Sequence, residues 1–338
     1  MITSNKKLFM EIPKAELHIH LEGAICPNDL SQLTEKYESG SYTVDDIYNR
    51  FKFTSFSSFL DTWSWKNKFL REYEDFEYIS HMFAQSRVKQ NIIYTELFIS
   101  PSDFLKNDLS ISRIVESIYS GLSKEPSAEI SLICDLVRDN GPEGAERVLD
   151  EVSDLKEFNV IGVGLGGSEH KFPASLFRNV FNKAREIDFN ITAHAGEACG
   201  PESIWQAIDL GITRVGHGIR AWDDKKLVEH LAEEGIALEL CPTSNLLTKA
   251  TGYNENSYPI KELMDSGVTC TINTDDPDMF NIDLATELFN CNSIWGIEYA
   301  DIIKLIRNGF ELSWAPQKQK QILNRYLDSF LKNELIYK

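Results

Sequence analysis

Residues 15–23 read AELHIHLEG, and the reading of this stretch decides the rest of the chain. It has the makings of a buried strand, in which residues two apart point to the same side. His18 and His20 then look the same way, with Leu17, Ile19 and Leu21 between and around them. Two neutral imidazoles converging on one point suit a zinc-type ion. They equally suit a packed or surface pair of histidines, and the spacing alone does not choose. The choice turns on histidines further along the chain and on one Asp-Asp pair.

Outward from that strand, similar runs recur at 92–99, 130–137, 160–165, 190–194, 214–217, 237–240 and 270–273. Several are almost continuously apolar, as parallel strands buried on both faces should be. The intervals mostly hold one amphipathic helix. In 141–158, Val148, Leu149, Val152 and Leu155 fall at helical spacing, and 201–210 opens on Pro201 and stops before Gly211. Eight strands alternating with helices predict an α/β fold, a (β/α)8 TIM barrel. With 338 residues, 42% of them hydrophobic, a single large core is within reach. The expectation is one domain, 1–338, with extra C-terminal helices from about residue 283 to the end.

One interval is too long for a crossover helix, residues 22–91. It carries FKFTSFSSFLDTWSWKNKF, dense in Phe51, Phe53, Phe56, Phe59, Trp63, Trp65 and Phe69. Extra helices packing on one another would account for most of these rings. A helical lid insertion at about 24–90, laid over a flat substrate, would account for the remainder.

The net charge of −18 argues against a nucleic-acid partner, which needs a positive field. The six cysteines, Cys26, Cys134, Cys199, Cys241, Cys270 and Cys291, show no CxxC and no regular short spacing. With no secretory h-region and no run of about 18 apolar residues, the expectation is a soluble cytoplasmic protein without a membrane partner.

In a barrel of this type reactive groups collect where strands end and loops begin. Those positions hold His18, His20 and Glu22, then GLGGSE (164–169), HAGE (194–197), GHG (216–218) and NTDDP (273–277). Each has an ordinary reading by itself. His194 and His217 suit backbone-bonded core positions, Asp275 and Asp276 before Pro277 suit a turn, and Glu197 suits a helix N-terminus. GLGGSE has the wrong spacing for a dinucleotide fingerprint. A metal-assisted hydrolase explains all of them together.

The combination PKAELHIHLEGA, GVGLGGSE, TAHAGE, RVGHGI, LELCPTSN and TINTDDP, in that order, resembles the adenosine deaminase family of metal-dependent hydrolases. The likeness runs from residue 13 to about 290, with more around 308–313. It implies one Zn2+ held by His18, His20, His194 and Asp275, with room for a water whose pKa the ion lowers to about 7. It implies that His217 positions that water and takes its proton, and that Glu197 protonates purine N1. A general acid of that kind needs a raised pKa in a dry site. Asp276 would meet purine N7, the Gly167 N–H would meet N3, and Glu22 would contact the sugar end. Cytidine-deaminase chemistry pairs HxE with PCxxC, and no PCxxC occurs here.

Two departures touch the sugar side. The first motif carries Glu22 where adenosine-specific members usually carry Asp, and strand 4 reads GLGGSE in place of a DLAGDE-like sequence. The implied substrate is adenosine or 2′-deoxyadenosine. A 5′-modified 6-aminopurine nucleoside (aminodeoxyfutalosine or methylthioadenosine), adenine, and an inactive nucleoside-binding barrel stay open as alternatives.

Overall fold

The computed structural model describes residues 2–40 and 42–336. Within them β1 (Lys14–His20), β2 (Ile92–Ile99), β3 (Glu129–Asp135), β4 (Val160–Gly164) and β5 (Asn190–Ile191) pair in sequence order, all parallel. β6 (Ala193–Ala195), β7 (Arg214–His217), β8 (Ala237–Leu240) and β9 (Cys270–Ile272) form a second parallel run. β5 and β6 are halves of one stave, broken at Thr192, whose hydroxyl donates to Arg214 O at 3.0 Å. The predicted strand 190–194 is therefore present but interrupted.

Hydrogen bonds join the two runs at both seams. On one side Thr192 N–H reaches Val163 O at 3.2 Å and His194 N–H reaches Leu165 O at 3.1 Å. On the other, His20 N–H donates to Asp275 O at 2.9 Å and Asp275 N–H to His18 O at 3.2 Å. The result is the expected (β/α)8 barrel. Just past Ile272, Asn273 Oδ1 accepts from Leu17 N–H at 2.9 Å and His18 N–H at 3.2 Å. That side chain ties the end of the barrel to the strand bearing the first two histidines.

Both faces of the staves are covered, so Leu97, Phe98, Ile99, Leu132, Ile133, Val163, Val215 and Leu238 are fully buried. Each such side chain contributes roughly 1.5–3 kcal/mol. In β1 the register shifts between Glu16 and Ile19, an irregularity that re-aims side chains beside the mouth.

Four helices fill the β1–β2 interval: Pro27–Tyr37, Val44–Arg50, Phe56–Asn67 and Tyr73–Lys89. The third starts on a capping box, Ser58 N–H donating to Ser55 Oγ at 3.2 Å while Ser58 Oγ accepts from Ser55 N–H at 3.0 Å. The aromatics divide between both expected roles. Phe51, Trp65 and Phe69 are buried in the packing, whereas Phe56, Phe59 and Trp63 line the cavity at the barrel mouth.

The chain ends in helices Leu284–Ser293, Tyr299–Leu312 and Gln317–Ile336. The expected helical tail extends to 337 and 338, which lie outside the described residues. Gly309 of the second of these helices lets the helix approach the foot of β1, at Ala15. No described helix is long and apolar enough to cross a membrane. All six cysteines are free thiols.

Candidate active site

The four strand-end histidines and Asp275 meet at the C-terminal mouth of the barrel. His18, His20, His194, His217 and Asp275 are all buried. Ring centroids lie 4.5 Å apart for His18 and His194, 4.8 Å for His18 and His217, and 5.1 Å for His20 and His194. Packing this dense needs bare backbone behind it. A β-carbon on Gly216 would fall 2.7 Å from His18 Cε1. Backbone strain helps to aim the groups, since His217 and Asp275 have φ of 59° and 65°, a region that costs a non-glycine residue about 1–3 kcal/mol.

Asp275 Oδ1 lies 3.5 Å from His18 Nε2 and 3.3 Å from His20 Nε2. His20 Nε2 also faces His194 Nε2 at 3.1 Å. His18 Nε2 and His194 Nδ1 are buried without any hydrogen-bond partner. Imidazole nitrogens gathered around a carboxylate, two of them unsatisfied, are the donor set a divalent cation wants. One atom each from His18, His194, His217 and Asp275 lies within 4.8 Å of all the others. His20 flanks that group through its contacts with His194 and Asp275, so five side chains offer themselves where the sequence reading has four ligands and a separate His217.

Charge follows from burial. Burial pushes His194 well below its ordinary value, aided by the neighbouring imidazoles, and pushes His217 down to about 3. Both are thus neutral. Burial also opposes ionisation of Asp275, but His217, His18 and His20 outweigh it and hold that carboxyl well below the usual range. The reverse holds for Glu197 and Asp276. Burial first, and the charge of Asp275 next, push both well above the ordinary carboxylate.

The supports beneath the histidines are side chains. His18 Nδ1 donates to Glu239 Oε2 at 2.9 Å, and Glu239 Oε1 is ion-paired to Arg214 Nε at 2.7 Å. Arg214 also pairs with Glu96 Oε2 at 2.5 Å. His217 Nδ1 receives Asn245 Nδ2–H at 3.1 Å, and Asn245 Oδ1 is fixed by the Tyr258 hydroxyl at 2.7 Å. The neutral His217 ring then carries its hydrogen on Nε2, 3.7 Å from Glu197 Oε2. Ser244 Oγ donates to Asp275 Oδ2 at 2.7 Å. Glu169 accepts from the N–H groups of Gly196, Ala198 and Cys199 and from Ser203 Oγ, which clamps the loop carrying Glu197. The acid at the start of the following helix is Glu202, which accepts from Gly200 N–H, and Glu197 faces the cavity.

The cavity holds about 290 Å³, close to the lower end of small-molecule pockets. His20, His194, Glu197, His217, Asp275, Asp276 and Gly167 line it, together with Asp103, Asp135 and Asp139 and the rings of Phe56, Phe59 and Trp63. Glu22 does not line it. Its Oε1 accepts from Ser100 N–H at 2.9 Å and its Oε2 is buried without a partner. The acids that reach the cavity in its place, Asp103 and Asp135, sit in the strand-2 loop and at the end of β3, where a sequence reading for strand ends sees only single aspartates.

A family model described as adenosine deaminase matches residues 13–330. The chain is 32% identical over 328 residues to an aminodeoxyfutalosine deaminase of Streptomyces coelicolor, spanning 94% of this chain and 84% of the relative. It is 33% identical over 325 residues to an adenine deaminase of Crocosphaera subtropica, spanning 94% and 99%. It is 32% identical over 323 residues to an adenosine deaminase of Yersinia pseudotuberculosis, spanning 92% and 96%. Among solved structures, the adenine deaminase from Arthrobacter aurescens superposes with a TM-score of 0.89 at 25% identity, over 95% of this chain and 99% of that one.

Proposed function

The chain belongs to the adenosine deaminase family of hydrolytic enzymes, and from that premise we propose that it converts adenosine and 2′-deoxyadenosine to inosine and 2′-deoxyinosine with release of ammonia. The observation that carries this reading is one cavity in which an imidazole–carboxylate cluster, a proton-holding Glu197 and a proton-holding Asp276 all face the same space. Zinc is the cofactor of this family, and when bound it supplies a water acidified to a pKa of about 7. His18, His20, His194 and Asp275 would hold it. His217 is left out of that set because Asn245 Nδ2–H occupies its Nδ1, so its cavity-facing Nε2 carries a hydrogen and has no lone pair to offer a metal.

The residues of the chain then divide the work. Glu197, kept neutral by burial, gives its proton to purine N1, which makes C6 electrophilic. Asp276, also protonated, donates to N7, an acceptor, and the Gly167 N–H donates to N3. His217 presents an N–H at Nε2 and orients the attacking water. A C6–O bond forms and the C6–N bond breaks; N1 keeps the proton from Glu197, and of the water's two protons one leaves on ammonia while the other returns to Glu197. We read residues 1–338 as one domain whose insertion at about 24–90 covers the base with Phe59 and Trp63.

The relatives named for aminodeoxyfutalosine, adenine and adenosine stand at nearly the same distance, so identity does not select the substrate. Adenosine is preferred because the cavity lining also carries Asp103, Asp135, Asp139 and Ser168 and, among the described residues, no lysine or arginine. Relative kcat/KM for adenosine, 2′-deoxyadenosine, methylthioadenosine, aminodeoxyfutalosine and adenine tests the choice. Adenosine should rank first or within a few-fold of first. Turnover of adenosine a hundredfold below any of the other three would move the substrate.

A further inference from the structure

Asp135 closes β3 beneath the barrel mouth, is 4% exposed, and lines the cavity. No donor within the described residues reaches its Oδ1. The nearest cation in sequence, Arg138, makes no hydrogen bond to it, its two terminal nitrogens donating to Phe172 O and His194 O. Asp139, four residues on, has its carboxylate occupied by Ser168 N–H at 2.8 Å and Ser168 Oγ at 2.6 Å. Asp135 is thus a buried carboxyl in the cavity lining that the protein itself leaves unsatisfied, a costly arrangement unless something else supplies the donor.

The neighbouring strand is shaped around it. A β-carbon on Gly166 would fall 2.2 Å from Asp135 Oδ2, and one on Gly164 would fall 3.1 Å from Oδ1. The bare glycines of GLGGSE therefore give the carboxyl its seat, which supplies a physical reason for that motif's departure from a DLAGDE-like sequence. Asp135 shares the cavity lining with Asp103, and among the described residues that lining carries no ammonium or guanidinium. A neutral hydrogen-bonding group such as a hydroxyl suits this corner.

We propose that Asp135 is a specificity-determining residue that accepts a hydrogen bond from a sugar hydroxyl of the substrate, in the role sequence reading assigns to Glu22. The inference rests on the nucleoside reading above. Base-facing groups handle the purine, and Asp135 distinguishes a riboside from the free base. Its contribution is to binding and placement, so its loss falls mainly on KM.

The test compares the zinc-loaded parent enzyme with Asp135→Ala and Asp135→Asn on adenosine and its 2′-, 3′- and 5′-deoxy analogues, with Glu22→Gln alongside. Thermal melting and zinc content establish that each variant is folded and loaded. Asp135→Ala should lose on the order of 10-fold in kcat/KM for adenosine, the worth of one buried hydrogen bond. Asp135→Asn, which keeps an acceptor oxygen, should recover part of that. One deoxy analogue should cost the parent enzyme the same factor and cost Asp135→Ala nothing further. Equal additional losses for all three analogues in Asp135→Ala would overturn the proposal while leaving the nucleoside reading intact. A parent enzyme that turns over adenine but not adenosine would overturn both.

Discussion

At the scale of single residues, the chemistry depends on carboxyls held in opposite protonation states within one cavity. Asp275 is kept ionised by three imidazoles, whereas Glu197 and Asp276 are kept neutral by burial and by Asp275 itself. Replacing Glu197 with Gln should lower kcat by about 10²–10⁴-fold, the usual worth of a general acid, with zinc content unchanged. Steady-state kinetics beside metal analysis checks it, and unimpaired turnover would remove Glu197 from the mechanism. Glu239 acts one contact further out, fixing His18 through Nδ1. Glu239→Gln should weaken zinc binding by about 10- to 100-fold, read by competition with a chromogenic chelator. A different carboxyl governs stability. Burial pushes Glu287 up to about 8 against the opposing hydrogen bond from Thr243 N–H. Its folded-state pKa exceeds the unfolded one, so its contribution is fully present below about pH 4.5 and is lost as pH rises through 8. Melting temperatures of zinc-loaded Glu287→Gln should decline less than those of the parent across that window, and parallel curves would refute the assignment.

At the scale of elements, the strands were legible and their supports were not. Near-continuous apolar runs such as IIYTELFI and SLICD mark staves buried on both sides, and their ends locate His18, His20, His194, His217 and Asp275 without any structure. Residues whose roles depend on which strand lies beside them could not be read that way. Glu169 clamps the next stave's loop, Asn245 holds His217 from the helix after β8, and Asp135 fits against glycines at and just past the end of β4. Glu22, which the motif places on the substrate, is directed to Ser100 N–H. The aromatic insertion was ambiguous because a ring that packs and a ring that lines a cavity look alike in sequence. Trp63 illustrates the second kind, its ring perpendicular to His20 at 6.0 Å and capped by Lys66 Nζ at 3.8 Å. Trp63→Ala should raise KM for adenosine roughly tenfold, about 1.4 kcal/mol of lost contact, with a smaller change in kcat. A fall in kcat with KM unchanged would argue against a covering role for this helix.

At the scale of the whole molecule, the barrel brings distant segments to one rim and closes the circle through the site itself, since the β1–β9 seam is made by His18, His20 and Asp275 backbone groups. Metal binding and barrel closure therefore share residues, and zinc should raise the melting temperature by mass action, with chelation lowering it. The acidic character extends from the net charge of −18 to the cavity wall. Adenosine 5′-monophosphate should accordingly be a much poorer substrate than adenosine, and the gap should narrow as salt screens the field. The most direct measurement is the ultraviolet absorbance change and ammonia release when zinc-loaded protein meets adenosine. Stoichiometric inosine and ammonia, abolished by a chelator and restored by zinc, is the predicted result. Intact adenosine after prolonged incubation, with one zinc per chain verified, would contradict the account.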